Sequence, residues 1–459
     1  MDKNCPKGTD PIKNTINKKQ PKEKKMDITL KDIQDLSKKY NDNPINKVIE
    51  NAITNNGLEN TMLDEKIIAE NQPVFNIELP ARVNKYDQKN SALCWIYAGI
   101  NMIQFDVAQN LNMDVENLTL SPVYISFFDR LEKASAIYEK IIRLEDASYE
   151  YINENRIIVN APYTLGFFEF FRGLINKYGF VPDSVMPETK ESINNNRTNT
   201  IYCEKIMGDI VKLIKLKEEN ASMEALEKQI KIFLEENYML LSKMLGEPVQ
   251  KFTYEYTDKD GNFQRLENIT PLEFKERFLK IDLNEFISIA NMPRHNKEYG
   301  KVYRYTGNSS IEEYTFLNLP INELKTLAIT QLKDSMPVYV NLYRRQFRDV
   351  PSGVLDTRLY DYKNVLGVTP LTKEEAQNTN TIFFHHCMNI CGVHIVDDKP
   401  IRWKVEDSFG NTLKNKGYSI MNDNFFDKYV FAVIIHKKYL SQEQLEAWNQ
   451  QPIEFSIYT

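Results

Sequence analysis

The chain is 459 residues long, 42% apolar and 27% charged, which is ordinary for a globular protein with a substantial core and, by length, about three domains. Its net charge of −6 gives no electrostatic footing for a nucleic-acid partner, and no apolar run approaches the roughly 18 residues of a membrane span. Five scattered cysteines (Cys5, Cys94, Cys203, Cys387 and Cys391) and an N-terminus without an apolar leader segment argue against a secreted disulfide scaffold and predict a cytoplasmic protein.

Residues 1–25 hold eight lysines, three prolines and almost nothing apolar, the composition of a disordered basic tail. A first helix is expected over Leu30 to Tyr40. Residues 72–93 read as extended loop. Trp95 to Leu111 reads as a helix, because Ile96, Ile100, Ile103, Val107 and Leu111 recur at three and four. Ser121-Pro122 supplies an N-cap and a proline at the first helical position, and that helix is expected to reach Ile142.

From 151 to 330 the pattern is mainly helical. Glu204 to Leu245 is its centrepiece, with a short heptad seam of Met223, Leu226, Ile230 and Phe233 suited to packing within the chain. Asp258-Lys259-Asp260-Gly261-Asn262 reads as a hairpin turn. Beyond 330, β-branched and aromatic runs predict strands over Pro337–Tyr343, Phe383–Val396, Ile401–Asp407, Tyr418–Met421 and Tyr429–His436. The expected organisation is a 1–25 tail, a 26–150 helical segment, a 151–330 helical insertion or assembly arm, a 331–450 β region and a 451–459 C-terminal arm.

Attack by a thiol needs a thiolate, a base beside it, a group that orients the base and donors for the oxyanion. The stretch Gln88-Lys89-Asn90-Ser91-Ala92-Leu93-Cys94-Trp95 puts a cysteine at a helix start, where orphan N–H groups and the helix dipole lower its pKa from about 8.5. Gln88, on the preceding loop, carries an amide that can join the Cys94 backbone N–H at an oxyanion. His385 and His386 are neighbours on an expected strand and face opposite sides, so only one can meet the thiolate. His394 shares the face of His386 but lies about 26 Å further along a straight strand. A metal held by His385, Cys387 and Cys391 fails similarly, the outer pair being about 20 Å apart. Neither metal nor cofactor is expected. Asp407, in Trp403-Lys404-Val405-Glu406-Asp407-Ser408-Phe409-Gly410, is the candidate to orient the imidazole of His386 from a paired strand.

This order of glutamine, Cys-Trp, histidine, Asp-Ser-Phe-Gly and then Gly417-Tyr418 resembles the papain-like cysteine peptidases, and the chain is similar to their bleomycin hydrolase and aminopeptidase C branch. Further segments carry the similarity in order from about residue 40 to 459: Asn51-Ala52-Ile53-Thr54, Ser126-Phe127-Phe128-Asp129-Arg130-Leu131-Glu132, Lys177-Tyr178-Gly179-Phe180-Val181-Pro182, Thr270-Pro271-Leu272-Glu273-Phe274 and Gly353-Val354-Leu355-Asp356. The resemblance implies an α+β, papain-like two-lobed core, a helical lobe and an antiparallel β lobe, with a large helical insertion. It implies Cys94 as nucleophile, His386 as general base and Gln88 as the oxyanion glutamine, with Trp95 beside the nucleophile. Asp407 stands where the family has asparagine, and Phe409 where it has the tryptophan that covers that hydrogen bond. Ala92-Leu93 replaces a usual Gly-Arg, and Tyr163-Thr164-Leu165-Gly166-Phe167-Phe168 replaces a glycine-rich segment, so the cleft is expected to be more apolar. A carboxylate at 407 would both orient the imidazole and stabilise the imidazolium, raising its pKa.

The resemblance further implies peptide substrates and a homohexameric barrel with inward-facing sites. It also implies a C-terminal arm ending at Thr459, whose carboxylate would meet the substrate's free α-ammonium and make the enzyme an aminopeptidase. Two other readings compete. One is a catalytically impaired homologue kept for binding or assembly; the other is an acyltransferase using Cys94, His386 and Asp407.

Overall fold

The computed structural model describes residues 27–80, 86–154, 166–194, 196–305, 311–410 and 417–455. The chain divides into two compact units, Met1–Thr61 and Met62–Thr459. In the first, helix Leu30–Asn41 begins at a capping box between Thr29 and Asp32. Helix Pro44–Asn56 follows, capped by Asn43 with Pro44 in its first turn. Both sets of signals satisfy the orphan donors of a helix start. Ile33, Leu36, Ile45 and Val48 are each more than half exposed, an apolar face that this pair of helices does not bury.

The second unit is built on a sheet. Its strands begin with β1 (Ile77–Glu78); a separate hairpin, β2 (Phe252–Thr257) and β3 (Phe263–Ile269), closes on the predicted Asp258–Asn262 turn. Next come β4 (Phe286–Ala290), β5 (Lys301–Tyr305), β6 (Tyr314–Asn318), β7 (Val338–Leu342), β8 (Arg348–Asp349) and β9 (Val354–Leu355). The last are β10 (His386–Val396), β11 (Lys399–Glu406), β12 (Tyr418–Asn422), β13 (Val430–His436) and β14 (Ile453–Phe455). Among the described residues, twelve of these pair in the order β14-β5-β6-β4-β13-β7-β10-β11-β12-β9-β8, with β1 added to β10. The central strands β4, β7 and β13 read as near-continuous apolar runs because they are covered on both faces.

Alternation along the strands divides two cores. Tyr339 and Cys387 belong to the core of the helix that Cys94 opens, Cys94–Asn110, whereas Val338, Val340, Met388 and Ile390 pack with Leu324, Leu327 and Leu332 of helix Ile321–Lys333. Hydrogen bonds fasten the sheet to helix Cys94–Asn110. Tyr339 Oη donates to the Trp95 carbonyl at 3.3 Å, and Asn389 Nδ2 donates to the Ala98 carbonyl at 2.8 Å. Cys94 and the strand that His386 opens are thereby held against each other.

The expected helix over Glu204 to Leu245 is two helices, Asn196–Glu218 and Met223–Leu245. Asn220 takes a left-handed conformation (φ 59°) and Ser222 caps the second helix. Leu226, Ile230 and Phe233 of the seam are buried, while Met223 is 49% exposed. The seam packs within the chain, with Phe233 meeting Tyr138 of helix Pro122–Arg143 at 5.7 Å between ring centroids. The stretch read as mainly helical also contributes β4, β5 and β6 to the main sheet, which local periodicity alone assigned too little weight.

Candidate active site

Cys94 is the first residue of its helix, and Leu93 before it offers no side-chain cap. The Ile96 and Tyr97 N–H groups donate back to the Leu93 carbonyl at 2.9 and 3.1 Å, and the positive end of the helix dipole lies at the thiol. The preceding loop turns through Lys89 (φ 47°) and Ala92 (φ 54°), both left-handed non-glycine positions. Within that turn the Ser91 N–H donates to the Gln88 carbonyl at 2.9 Å. The Gln88 backbone N–H donates to the Ser408 carbonyl at 2.6 Å, and its side-chain Oε1 accepts from Ser408 Oγ at 2.5 Å. With the carbonyl end of the amide engaged, its N–H₂ end is the one available to an oxyanion.

His386 opens β10. Its Nε2 lies 2.8 Å from Asp407 Oδ1, and its ring interacts electrostatically with Cys94. Asp407 follows β11, which pairs antiparallel with β10; its side chain is fully buried. The Ser408 N–H donates to the same Oδ1 at 2.8 Å, and Arg344 Nη2 meets Oδ2 at 2.7 Å. Phe409 stacks on the His386 ring, centroids 5.7 Å apart and 24° from parallel. Gly410 is left-handed (φ 59°), and a Cβ there would lie 3.0 Å from Asp87 Cβ, so glycine lets the Phe409 loop close against the loop bearing Gln88.

The Peptidase C1-like family matches residues 27–459. The chain belongs to the Peptidase C1-like family. Among similar proteins is Aminopeptidase G of Lactobacillus delbrueckii subsp. lactis, 32% identical over 94% of this chain and 98% of that one. Aminopeptidase C of Listeria monocytogenes is 31% identical over 93% of this chain and 96% of its own. The crystal structure of PepW from Lactobacillus rhamnosis HN001 superimposes with a TM-score of 0.89 at 31% identity, covering 94% of this chain and 98% of that one. The papain-like family and the α+β class expected from the sequence are thus borne out.

The electrostatics of this C1-like site favour an ion pair. A hydrogen bond from the Cys387 thiol is the foremost cause that holds the Cys94 pKa well below the ordinary thiol value; the charge and hydrogen bond of His386 add to it and together they outweigh burial. Burial opposes the imidazolium of His386, but the Asp407 carboxylate and the Cys94 thiolate raise its pKa nonetheless. Burial likewise works against the Asp407 carboxylate, yet Arg344 and His386 hold it below the usual range. Burial pulls Arg344 down to about 10. Each partner thus stabilises the charged form of the next.

The structure brings Gln88, Cys94, His386, Asp407 and Phe409 together. Trp95 is buried, with Gly166 against its ring and Lys133 5.3 Å above it. Thr459 and the Tyr163-Thr164-Leu165 segment lie outside the described residues. His385 turns elsewhere, accepting from Arg345 Nε at 2.8 Å. Sequence reasoning missed Arg344, Ser408 as the partner of Gln88, and Cys387 as the partner of Cys94. For Cys387 the signal was present, since alternation puts it with Asn389 on the strand face toward the nucleophile helix.

Proposed function

We propose that this protein is a cysteine aminopeptidase that removes N-terminal residues from peptides. The observation that carries the reading is the buried set Cys94, His386 and Asp407, with His386 Nε2 2.8 Å from Asp407 Oδ1, Cys94 acting electrostatically on the same ring, and the Gln88 carbonyl oxygen held by Ser408. Thiolate Sγ of Cys94 attacks the scissile carbonyl carbon, forming a C–S bond while the carbonyl electrons move to oxygen. The oxyanion takes hydrogen bonds from the Gln88 amide and the Cys94 N–H. The imidazolium of His386 passes its proton to the leaving amine as the C–N bond breaks, leaving an acyl-enzyme. The now neutral imidazole takes a proton from water, which attacks the thioester and releases the acid and the thiolate.

A C-terminal arm limiting endopeptidase action is supported by the course of the last described residues. β14 pairs in parallel with β5, and Phe455 packs on Tyr303, Tyr305 and Phe316 beneath the Lys297 ammonium. Tyr305 leads through Phe167 to Phe384, two residues before His386. From there a terminal carboxylate on Thr459 would pair with a free α-ammonium in the cleft. The exposed apolar face of helices Leu30–Asn41 and Pro44–Asn56 supports burial against further copies, in line with a homohexamer. Cys94, Cys203 and Cys387, thiols among the described residues, suit a reducing, cytoplasmic setting.

Hydrolysis of a panel of aminoacyl anilides by the native protein and by Cys94→Ser tests the reaction. Turnover is expected only for the native protein and only on substrates with a free α-amine. Equal turnover by Cys94→Ser would defeat the assignment, and preferential transfer to an added amine would point to an acyltransferase. Removal of residues 456–459 is expected to let N-blocked peptides be cut internally; if they stay uncut while free-amine substrates are cleaved, the arm does not gate.

A further inference from the structure

We propose that Arg344 is a positioning residue for the Cys94–His386 pair, and that Arg344 and Asp407 act as one neutral couple in the place of a single orienting amide. The inference rests on Cys94 and His386 being the reacting pair. Arg344 comes from the chain just after β7 and is 3% exposed. Its Nη2 meets Asp407 Oδ2 at 2.7 Å, and its Nη1 lies 3.2 Å from His386 Nε2. Its guanidinium carbon sits 4.6 Å over the Phe409 ring, which itself stacks on His386. One planar group therefore touches the acid, the base and the aromatic cover together. An arginine fork suits this, because two of its nitrogens can be fixed at once.

Charge bookkeeping explains why the site needs it. In the reactive state Cys94 is an anion, His386 a cation, Asp407 an anion and Arg344 a cation, and all four side chains are buried. Their charges sum to zero. A buried carboxylate beside the thiolate–imidazolium pair, without Arg344, would leave one uncompensated negative charge in low dielectric, and such a charge is costly. An amide at 407 needs no such partner. The other groups facing His386 do not alter the sum: Cys387 is held as a thiol by burial, and burial together with Arg345 pushes His385 down to about 4, so it is neutral at pH 7. Arg348 acts on Arg344 as a like charge from outside the four.

The test is the pH dependence of Cys94 alkylation by iodoacetamide in the full-length protein. Four forms are compared: native, Arg344→Met, Asp407→Asn and the double variant. Removing the cation leaves Asp407 unopposed beside the imidazolium, so the alkaline limb of Arg344→Met moves up. Asp407→Asn strands a buried cation against His386, so its limb moves down. A unit charge a few ångströms away in a poorly screened site displaces each limb by about one pH unit or more. The double variant, neutral again, returns toward the native limb, and its kcat/KM exceeds that of the weaker single variant by roughly tenfold.

Arg344→Lys separates charge from packing, since it keeps the cation and loses the fork. Its limb stays nearer the native one than that of Arg344→Met, whatever its melting temperature. The proposal is overturned if the single variants keep the native limb, if their losses multiply in the double variant, or if Lys and Met displace the limb equally. Failure of native Cys94 to alkylate faster than a free thiol would instead refute the reacting pair itself.

Discussion

Cys387→Ala probes the least expected partner of the nucleophile. The Cys387 thiol has one proton and two neighbouring acceptors, the Cys94 sulfur and Asn341 Oδ1 at 3.4 Å. Its hydrogen bond is the foremost cause of the lowered Cys94 pKa. A hydrogen bond to a charged group is worth about 1.5–3 kcal/mol, and one pKa unit corresponds to about 1.36 kcal/mol. Cys387→Ala should therefore raise the Cys94 pKa and lower the thiolate fraction on the acid limb by roughly tenfold to a hundredfold. The sign follows directly: a thiolate that loses a donor is harder to form, so the acid limb of kcat/KM and of alkylation moves to higher pH. The alkaline limb, set by His386, is little displaced, because Asp407 and Arg344 are untouched. Cys387→Ser keeps a donor and should fall between the two. Stopped-flow alkylation from pH 3 to 9, with melting temperatures alongside, makes the measurement. Coincident acid limbs in native and Cys387→Ala proteins would refute the reasoning.

Further outcomes bear on the oxyanion donor and on packing. Gln88→Ala should lower kcat by roughly 10²–10³-fold, while leaving the iodoacetamide rate of Cys94 within about twofold, since alkylation develops no oxyanion. Ser408→Ala removes one hydrogen bond to the Gln88 amide, worth about 1 kcal/mol, and should cost about fivefold in kcat at unchanged pH limbs. Gly166→Ala places a Cβ 2.5 Å from the Trp95 ring; overpacking of this kind costs about 1–3 kcal/mol, read as a lower melting temperature. Ala92→Gly should be tolerated, because its left-handed φ of 54° costs an alanine about 1–2 kcal/mol; a clear loss of stability in denaturant titration would contradict that.

Much of the fold was legible because its signals are local. Ser121-Pro122, the 3–4 spacing from Ile96 to Leu111 and the five C-terminal strands each lie within one element, and the structure keeps them with boundaries shifted by a few residues. The break at Asn220 was also written locally, in a left-handed asparagine and the Ser222 cap, but the flanking helical periodicity masked it. The strands β4–β6 were hidden because their apolar runs are short and gain their partners only from distant segments.

What the sequence by itself determined is the ordered set Gln88, Cys94, His386, Asp407 and Phe409, because residue type and helix or strand position already restrict their chemistry. What only the tertiary structure decided is the environment that makes those groups reactive. Arg344 lies 42 residues from His386 in the chain and has no motif of its own. Antiparallel pairing of β7 with β10 and of β10 with β11 brings it against Asp407. Cys387 acquires meaning only once its strand lies on the nucleophile helix. Charges and hydrogen-bond partners act through space over a few ångströms, and spacing along a chain does not encode that distance until the sheet has formed.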